Sequence, residues 1–390
     1  MKSGNKSKVA IIRCEGYEEA EVKRAVVKGI ELLGDVERIA QPSEKILLKP
    51  NLLLGKHPEK CVTTHPNVFR AVAELFLELG AEVYYGDSPG IASPKAASRK
   101  SQLEKVAIDL GIQLADFETG RTISFSDGHQ NRQFIIARGV FHVDGLVSLP
   151  KLKTHGLTRI TGAVKNQFGC IPGLIKSEFH VKLSNAFSMS RMLVDLTRFL
   201  RPRLYIMDGI MAMEGNGPSG GTSTPLNVLL LSTDPVALDA TVCRIINLNP
   251  EFVPTNKFGL EQGLGTYLQE EIEVIGDALE TFVNPKFDVV REPMQVPPQN
   301  RFYTLIKNRV VPRPEIDGTL CTRCGSCVKI CPATPKAVNW IASDQSRPPA
   351  FNYNRCIRCY CCQETCPEKA ISLRTPLLGR VVHLWRKSDH

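Results

Sequence analysis

Nine of the thirteen cysteines fall after residue 300, and eight of them follow a single spacing rule. Cys321, Cys324, Cys327 and Cys331, with Pro332 next, read C-x2-C-x2-C-x3-C-P. Cys356, Cys359, Cys362 and Cys366, with Pro367 next, repeat it. The thiolate is the soft, metal-ligating form of cysteine. An isolated C-x2-C pair would point first to zinc. Two full copies fix eight cysteines and two prolines, which is the ligand grammar of iron–sulfur clusters. Within CIRCYCCQETCPEKAI at 356–371, Cys361 breaks both intervals and is the spare thiol. It is expected to be a small half-buried residue, with ligand exchange or redox sensing as the functional alternative.

The tandem pattern resembles the bacterial two-cluster ferredoxins, whose fold is a pseudo-symmetric pair of half-domains. That resemblance implies two [4Fe-4S] clusters with crossed ligation. Three closely spaced cysteines wrap one cluster, and the cysteine before the proline reaches the other. Cluster one then takes Cys321, Cys324, Cys327 and Cys366; cluster two takes Cys356, Cys359, Cys362 and Cys331. The second motif continues through Glu368, Lys369, Ala370 and Ile371, the usual C-P-x-x-A-I ending. The first reads CPATPKAV, with Ala337 two residues late, and predicts a different turn after Cys331. A disulfide framework is the competing reading. The opening MKSGNKSKVAIIRCEGY has only four consecutive apolar residues, too few for a secretory segment. A reducing cytoplasm is therefore expected, where disulfides do not persist.

Charge is divided unevenly. Residues 301–390 carry fifteen Lys and Arg against six Asp and Glu, whereas the first 300 residues carry 34 of each. The whole net charge of +9 thus lies with the cysteine motifs. A basic segment commonly meets nucleic acid or a membrane surface. Here the thiolate-ligated clusters carry negative charge that basic residues would offset, so nucleic acid is not the expected partner. No run of eighteen apolar residues occurs, and no transmembrane segment is expected.

The preceding residues alternate two periodicities. KVAIIRC, KILLKPNLL, EVYYGDSPG, DGLVSLPKLKTH, LYIMDGI, NVLLLSTD and IEVIGD read as strands, several of them near-continuous apolar runs. EEAEVKRAVVKGIELLG, PNVFRAVAELFLELG, MSRMLVDLTRFL and PVALDATVCRIINL read as helices. Such alternation predicts an α/β N-terminal domain, a mostly parallel sheet with helices on both faces. A small α+β ferredoxin-like domain follows at the C-terminus. The expected boundaries are 1–290 for the first domain and 291–311 for a Pro-rich linker. The two-cluster domain spans 312–376 (motifs at 312–341 and 347–376), and a basic tail spans 377–390.

In open α/β sheets the carboxyl ends of the strands carry the site. Polar residues gather at those ends: Lys49 and Asn51, Asp87 and Ser88, Lys151, Lys153, Thr154 and His155, Asp208, and Asp234. Lys153, His155 and Lys165 are candidate catalytic residues. Lys49, Asn51, Asp87, Lys151, Asn166 and Asp208 are candidate ligand contacts. Together they predict a pocket for a small anionic or carbonyl ligand. Lysines there serve as fixed donors, or as acid or Schiff-base groups where burial lowers their pKa. His155 is an acid–base group or metal ligand, or else a capping residue; His65 stabilises a turn, with Thr63 or Thr64 as the helix cap. GNGPSG at 215–220 fits a dinucleotide fingerprint by letter, but Pro218 and the following TSTPLNVLLL do not open a helix. It reads as a flexible loop over a ligand or a plain connection. Cys14, Cys61, Cys170 and Cys243 are scattered and read as buried packing residues, with a nucleophile as the alternative for Cys170 beside the candidate site.

KPNLL, TTHPNV, GDSPG, LPKLKTHGLTRITGAVKNQFGCIPG, DGIMAMEGNGPSGG and STDPVALDA resemble the family called domain of unknown function 362, over roughly residues 8 to 280. Some members carry a two-cluster ferredoxin module, and no single reaction is agreed for the family. The expected function is that of an iron–sulfur redox protein. It would pass electrons from a redox partner protein to a reduction near Lys153 and His155, as a ferredoxin-linked oxidoreductase. A carrier with a docking domain, and a non-redox racemase, lyase or transferase with structural or sensory clusters, are the alternatives. Any further N-terminal cofactor and the oligomeric state stay open.

Overall fold

The computed structural model describes residues 6–34, 39–173, 175–183, 185–294, 307–309, 311–341 and 345–377. The expected linker and basic tail lie largely outside these residues.

Near-continuous apolar strands require cover on both faces, and this sheet has it. Its strands are β1 (Ser7–Arg13), β2 (Lys45–Pro50), β3 (Glu82–Tyr85), β4 (Gln113–Leu114), and, after the separate hairpin β5 (Gly120–Ser124) and β6 (Gln133–Ala137), β7 (Gly145–Leu149). They continue with β8 (Lys151–His155), β9 (Arg159–Thr161), β10 (Leu204–Glu214), β11 (Thr222–Ser232) and β12 (Ile272–Gly276). The order is β12-β1-β11-β10-β7-β2-β3-β4, with β8 and β9 extending beyond β10. Pairings are parallel apart from β1–β11, β10–β11 and β8–β9, so the sheet is mixed but mostly parallel.

The helices in chain order are α1 (Glu19–Leu33), α2 (Pro66–Glu78), α3 (Pro94–Lys100), α4 (Leu103–Leu110), α5 (Ala163–Asn166), α6 (Ile175–Lys182), α7 (Ala186–Leu200), α8 (Pro235–Ile245) and α9 (Pro254–Glu261). Alternate residues of the central strands face opposite layers, as a period of two demands. Ala10, Ile12, Leu229 and Leu231 join Val26 and Ile30 of α1 and Phe69 and Phe76 of α2 in one core. Val9, Ile11, Val228 and Leu230 join Ala237, Leu238 and Val242 of α8 in the other. Phe69 is fully buried, so truncation to alanine would cost about 3–5 kcal/mol.

Two details of topology position the site. The stretch DGLVSLPKLKTH is two strands rather than one, because Pro150 lacks the N–H the ladder needs. β7 pairs with β2, while β8 moves on to pair with β10 and β9. Secondly, β11 runs antiparallel to β10, which sends its carboxyl end to the opposite edge. Asp234 there caps α8, accepting the Val236 and Ala237 N–H groups, and holds Ser7 and Thr266. It is a structural cap, remote from the other strand ends.

The C-terminal region is built from two short antiparallel pairs, β13 (Arg313–Ile316) with β16 (Ile371–Arg374) and β14 (Val338–Asn339) with β15 (Ala350–Phe351). Two short helices, α10 (Ser326–Ile330) and α11 (Cys361–Glu364), accompany them. Val338 and Ile371 pack between Cys327 and Cys362 as its small core.

α5 carries two candidate site residues and is capped from α8. Asp239 accepts the Ala163 N–H at 2.6 Å and the Val164 N–H at 3.3 Å. Gly162 permits this approach, since a Cβ there would lie 2.2 Å from the carboxylate. Burial pushes the Asp239 carboxyl up to about 7, with the two N–H donors opposing. The folded state then binds a proton that the unfolded chain has released, so this contribution is present at low pH and lost as pH rises through about 7. Accordingly, the wild type should lose stability relative to Asp239→Asn between about pH 5.5 and about pH 8, read from denaturant midpoints. A constant difference across that range would count against a raised pKa.

Candidate functional site

A cleft of about 790 Å³, mouth included, lies between the sheet and the cysteine-rich region. Its sheet side is made by the segments after β2 and β3, by β8 and by α5 and α6; its other side is made by Ile330, Cys361, Glu364 and Thr365. Lys49 is fully buried, 2.8 Å from Asp87 Oδ1. Asp87 also accepts the Leu52 N–H. Gly169 covers this pair so closely that a Cβ would fall 1.7 Å from Asp87 Oδ1. Asn51 donates to Asn166 Oδ1 at 3.0 Å and accepts from Lys153 Nζ at 2.6 Å. Lys153 donates in addition to Val62 O, and Asn166 donates to Ser148 Oγ. Thr64 Oγ1 fixes the Asn51 backbone by accepting its N–H and donating to Leu149 O.

Three lysines line the cleft: Lys153, Lys165 and Lys176. Burial lowers the pKa of each. Lys165 and Lys151 add to the effect on Lys153, well below the ordinary range, and Lys176 falls to about 7. Lys176 donates to Ser88 O at 2.7 Å. His180 and Thr161 complete the polar lining.

Lys151 and Asp208 belong to a second cluster. Lys151 Nζ lies 2.8 Å from Asp208 Oδ2 and donates to Tyr17 Oη at 2.7 Å. Tyr17 donates to Asp208 Oδ1 and stacks on His65 with ring centroids 3.6 Å apart. His65 is itself the N-cap of α2, its Nδ1 accepting the Asn67 N–H, so neither Thr63 nor Thr64 is the cap. The candidate strand-end residues therefore divide between two polar clusters, with Asn51, Asp87, Lys153, Lys165 and Asn166 on the cleft.

His155 ends β8 at the boundary between the two regions. Its Nδ1 accepts the Leu157 and Thr158 N–H groups, leaving the proton on Nε2, which lies 3.0 Å from Glu364 Oε1. Burial brings His155 down to about 4, against the pull of Glu364. Burial pushes Glu364 up, but the facing His155, Lys165 and His180 outweigh it and hold the carboxyl at about 2. Because His155 is neutral at pH 7, we assign the main charge partner of that carboxylate to Lys165.

GNGPSG is the clasp between the regions. It connects β10 to β11, so no helix opens at its end. Gln363 donates to Asn216 Oδ1 and Gly217 O, Ser219 donates to Glu364 O at 2.6 Å, Asn216 donates to Ile371 O, and Lys369 donates to Gly221 O. Gly217 admits the contact with Thr154, whose O would be 2.3 Å from a Cβ. Pro218 reaches the cleft.

The cysteines fit the clusters their spacing implies. Cys321, Cys324, Cys327 and Cys366 line one cavity of about 350 Å³, which unites the first three thiols with the distant fourth. Burial raises Cys327 to about 11, with Cys324, Cys366 and Cys321 contributing. Burial likewise raises Cys362, with Cys359, Cys356, Cys327 and Cys331 all close enough to add. The cavity lined by Cys321, Cys324, Cys327 and Cys366 has the membership that crossed ligation requires. Among the described residues no three His, Cys, Asp or Glu side chains converge on a single-ion site. Cys361 is buried and lines the cleft. Cys14, Cys61, Cys170 and Cys243 are buried, and burial raises Cys170 to about 12, far from a thiolate nucleophile at neutral pH.

The fold and site define an α/β sheet protein carrying a 4Fe-4S dicluster domain, the latter matched at residues 313–367. The chain belongs to the family described as Domain of unknown function (DUF362), matched at residues 46–244. It is 34% identical over 248 residues to a thylakoid-associated protein of Synechocystis, covering 63% of this chain and 77% of the relative. Among solved structures, lactate racemase apoprotein from Thermoanaerobacterium thermosaccharolyticum matches with TM-score 0.39 at 12% identity, over 59% of this chain. A Thermotoga maritima protein matches with TM-score 0.34 at 11% identity, over 57% of this chain. The chain spans little more than half of those two structures, 54% and 57%. Among the described residues no helix is long and apolar enough to cross a membrane.

Lys176, His180, Thr161 and Glu364 escaped the sequence reading. Glu364 sits inside the cysteine motif, where ligand spacing absorbs attention, and α6 has no strongly periodic pattern to mark it. If Cys366 is a cluster ligand, Cys366→Ala should remove one cluster, lowering anaerobically measured iron from about eight to about four per chain. Unchanged iron would contradict ligation by Cys366.

Proposed function

We propose that this protein is an iron–sulfur redox enzyme that reduces a small carbonyl-bearing ligand held in the cleft. One observation carries the reading: the turn Cys361–Thr365, which contains Cys362 and is flanked by Cys359 and Cys366, is itself a wall of the lysine-lined cleft. When bound, the two clusters supply one-electron reducing equivalents beside that wall. The electrons originate in a one-electron donor protein, and the tether keeps the module at high effective concentration next to its acceptor.

The chain's own residues orient the ligand and manage protons. Asn51 and the Val62 carbonyl fix Lys153 as a positioned amine. Lys176, anchored on Ser88 O and brought by burial to about 7, is poised to give a proton near neutral pH. Reduction of C=O to an alcohol consumes two electrons, delivered singly, and two protons. Lys176 gives one to the carbonyl oxygen, and solvent at the cleft mouth provides the other and reprotonates the lysine. His155, neutral and pinned by two backbone N–H groups, holds the Glu364 turn in place.

The test is anaerobic turnover of 2-oxo acids by the holo-protein with a reduced low-potential donor. Cys324→Ala should bring reduction to background while leaving ligand binding intact; equal turnover would sink the proposal. For the wild type, the rate should fall as pH rises through about 7, because Lys176 then loses the proton it donates. A rate that climbs through that range would exclude Lys176 as the acid.

A further inference from the structure

Lys165 is the cleft lysine whose ammonium has no hydrogen-bond acceptor, although it faces the Glu364 carboxylate across the cleft. Lys49 has Asp87, Lys151 has Asp208, Lys153 has Asn51 and a carbonyl, and Lys176 has two carbonyls. Among the described residues no hydrogen bond or ion pair reaches Lys165, whose ammonium instead stands 5.8 Å from the Phe168 ring centroid. Glu364, the nearest acid on the opposite wall, is in contact with His155. Two further groups on the lining are buried with polar atoms lacking a partner: Thr161 Oγ1, on a residue 4% exposed, and His180 Nδ1, on a residue 7% exposed. The side chains come from β9, α5 and α6, three elements that the fold brings to one wall.

An ammonium drawn largely out of water without a hydrogen-bond acceptor is costly, and so is each buried polar atom without a partner. A ligand that satisfies all three must accept from the ammonium and the hydroxyl and carry negative charge. We propose that Lys165, Thr161 and His180 form an oxyanion site, binding the carboxylate or phosphate group of the ligand. This rests on the reading of the cleft as a ligand site, and it gives the ligand a second handle: an anionic group at Lys165, distinct from the carbonyl reached by Lys176. Thr161 and His180 are positioned to fix the oxygens, and Lys165 supplies the charge.

The test needs no electron flow. The oxidised full-length holo-protein is titrated with inorganic phosphate and, separately, with oxalate, following melting temperature and binding heat. Saturable binding of phosphate alone marks a phosphate-bearing ligand, and of oxalate alone a carboxylate; either supports the proposal. Lys165→Gln should weaken the binding by about tenfold or more, and Lys165→Arg should restore most of it. Lys182→Gln, altering an exposed lysine of α6 paired with Glu178, should leave it unchanged. Should Lys165→Gln fail to fold, Thr161→Val, close in shape, serves in its place and should weaken binding in the same direction. The proposal is overturned if neither anion binds saturably, or if Lys165→Gln (Thr161→Val in its place) binds as tightly as the wild type. Because the clusters stay oxidised, failure here leaves electron delivery standing, and failure of electron delivery leaves anion binding standing.

Discussion

An ammonium group can leave water only if something replaces the water, and this molecule takes several lysines out of water at once. Lys49, Lys151 and Lys153 are each at most 1% exposed. Lys49 lies near the carboxyl end of β2, and Lys151 and Lys153 lie in β8, just beyond the carboxyl end of β7. The surrounding polar structure answers that constraint. Asp87 and Asp208 supply charge, Asn51 and the Val62 carbonyl supply acceptors, and Tyr17 bridges Lys151 to Asp208. Removing one partner of such a pair strands the other, which is far more damaging than losing a surface pair.

The same constraint explains the clasp between the two regions. A lysine-rich wall left open would simply hydrate. Docking of the Cys361–Thr365 turn encloses it and brings in Glu364 as a fixed negative charge. All but one of the clasp's acceptors are backbone carbonyls, so its geometry is set largely by main chain. GNGPSG, read by its letters, invites a dinucleotide-binding interpretation. Its place between two antiparallel strands makes it a docking loop instead, and the glycine at 217 is there because Thr154 leaves no room for a side chain.

The 4Fe-4S dicluster domain was legible in the chain itself, because short-range spacing fixes which thiols can share a loop. The mixed, mostly parallel sheet was also legible, since burial on both faces leaves long apolar runs. The strand ends were legible only as a set of polar residues. Which of them meet was not, because one proline divides β7 from β8 and one antiparallel strand removes Asp234 to the far edge. His65 as a cap, and Tyr17 as the bridge, likewise depend on residues distant in sequence.

Sequence alone determined the two copies of the cysteine spacing, the position of Cys361 outside that spacing, the domain order and the concentration of charged residues at strand ends, all set by local spacing and periodicity. Tertiary structure decided that Lys153 and Lys165 share a cleft while Lys151 and Asp208 share another cluster. It also decided that Glu364 faces His155 and that Lys176, His180 and Thr161 belong to the same wall. The reason is physical: ligand spacing is a property of one loop, whereas charge compensation depends on which buried surfaces the completed fold presses together.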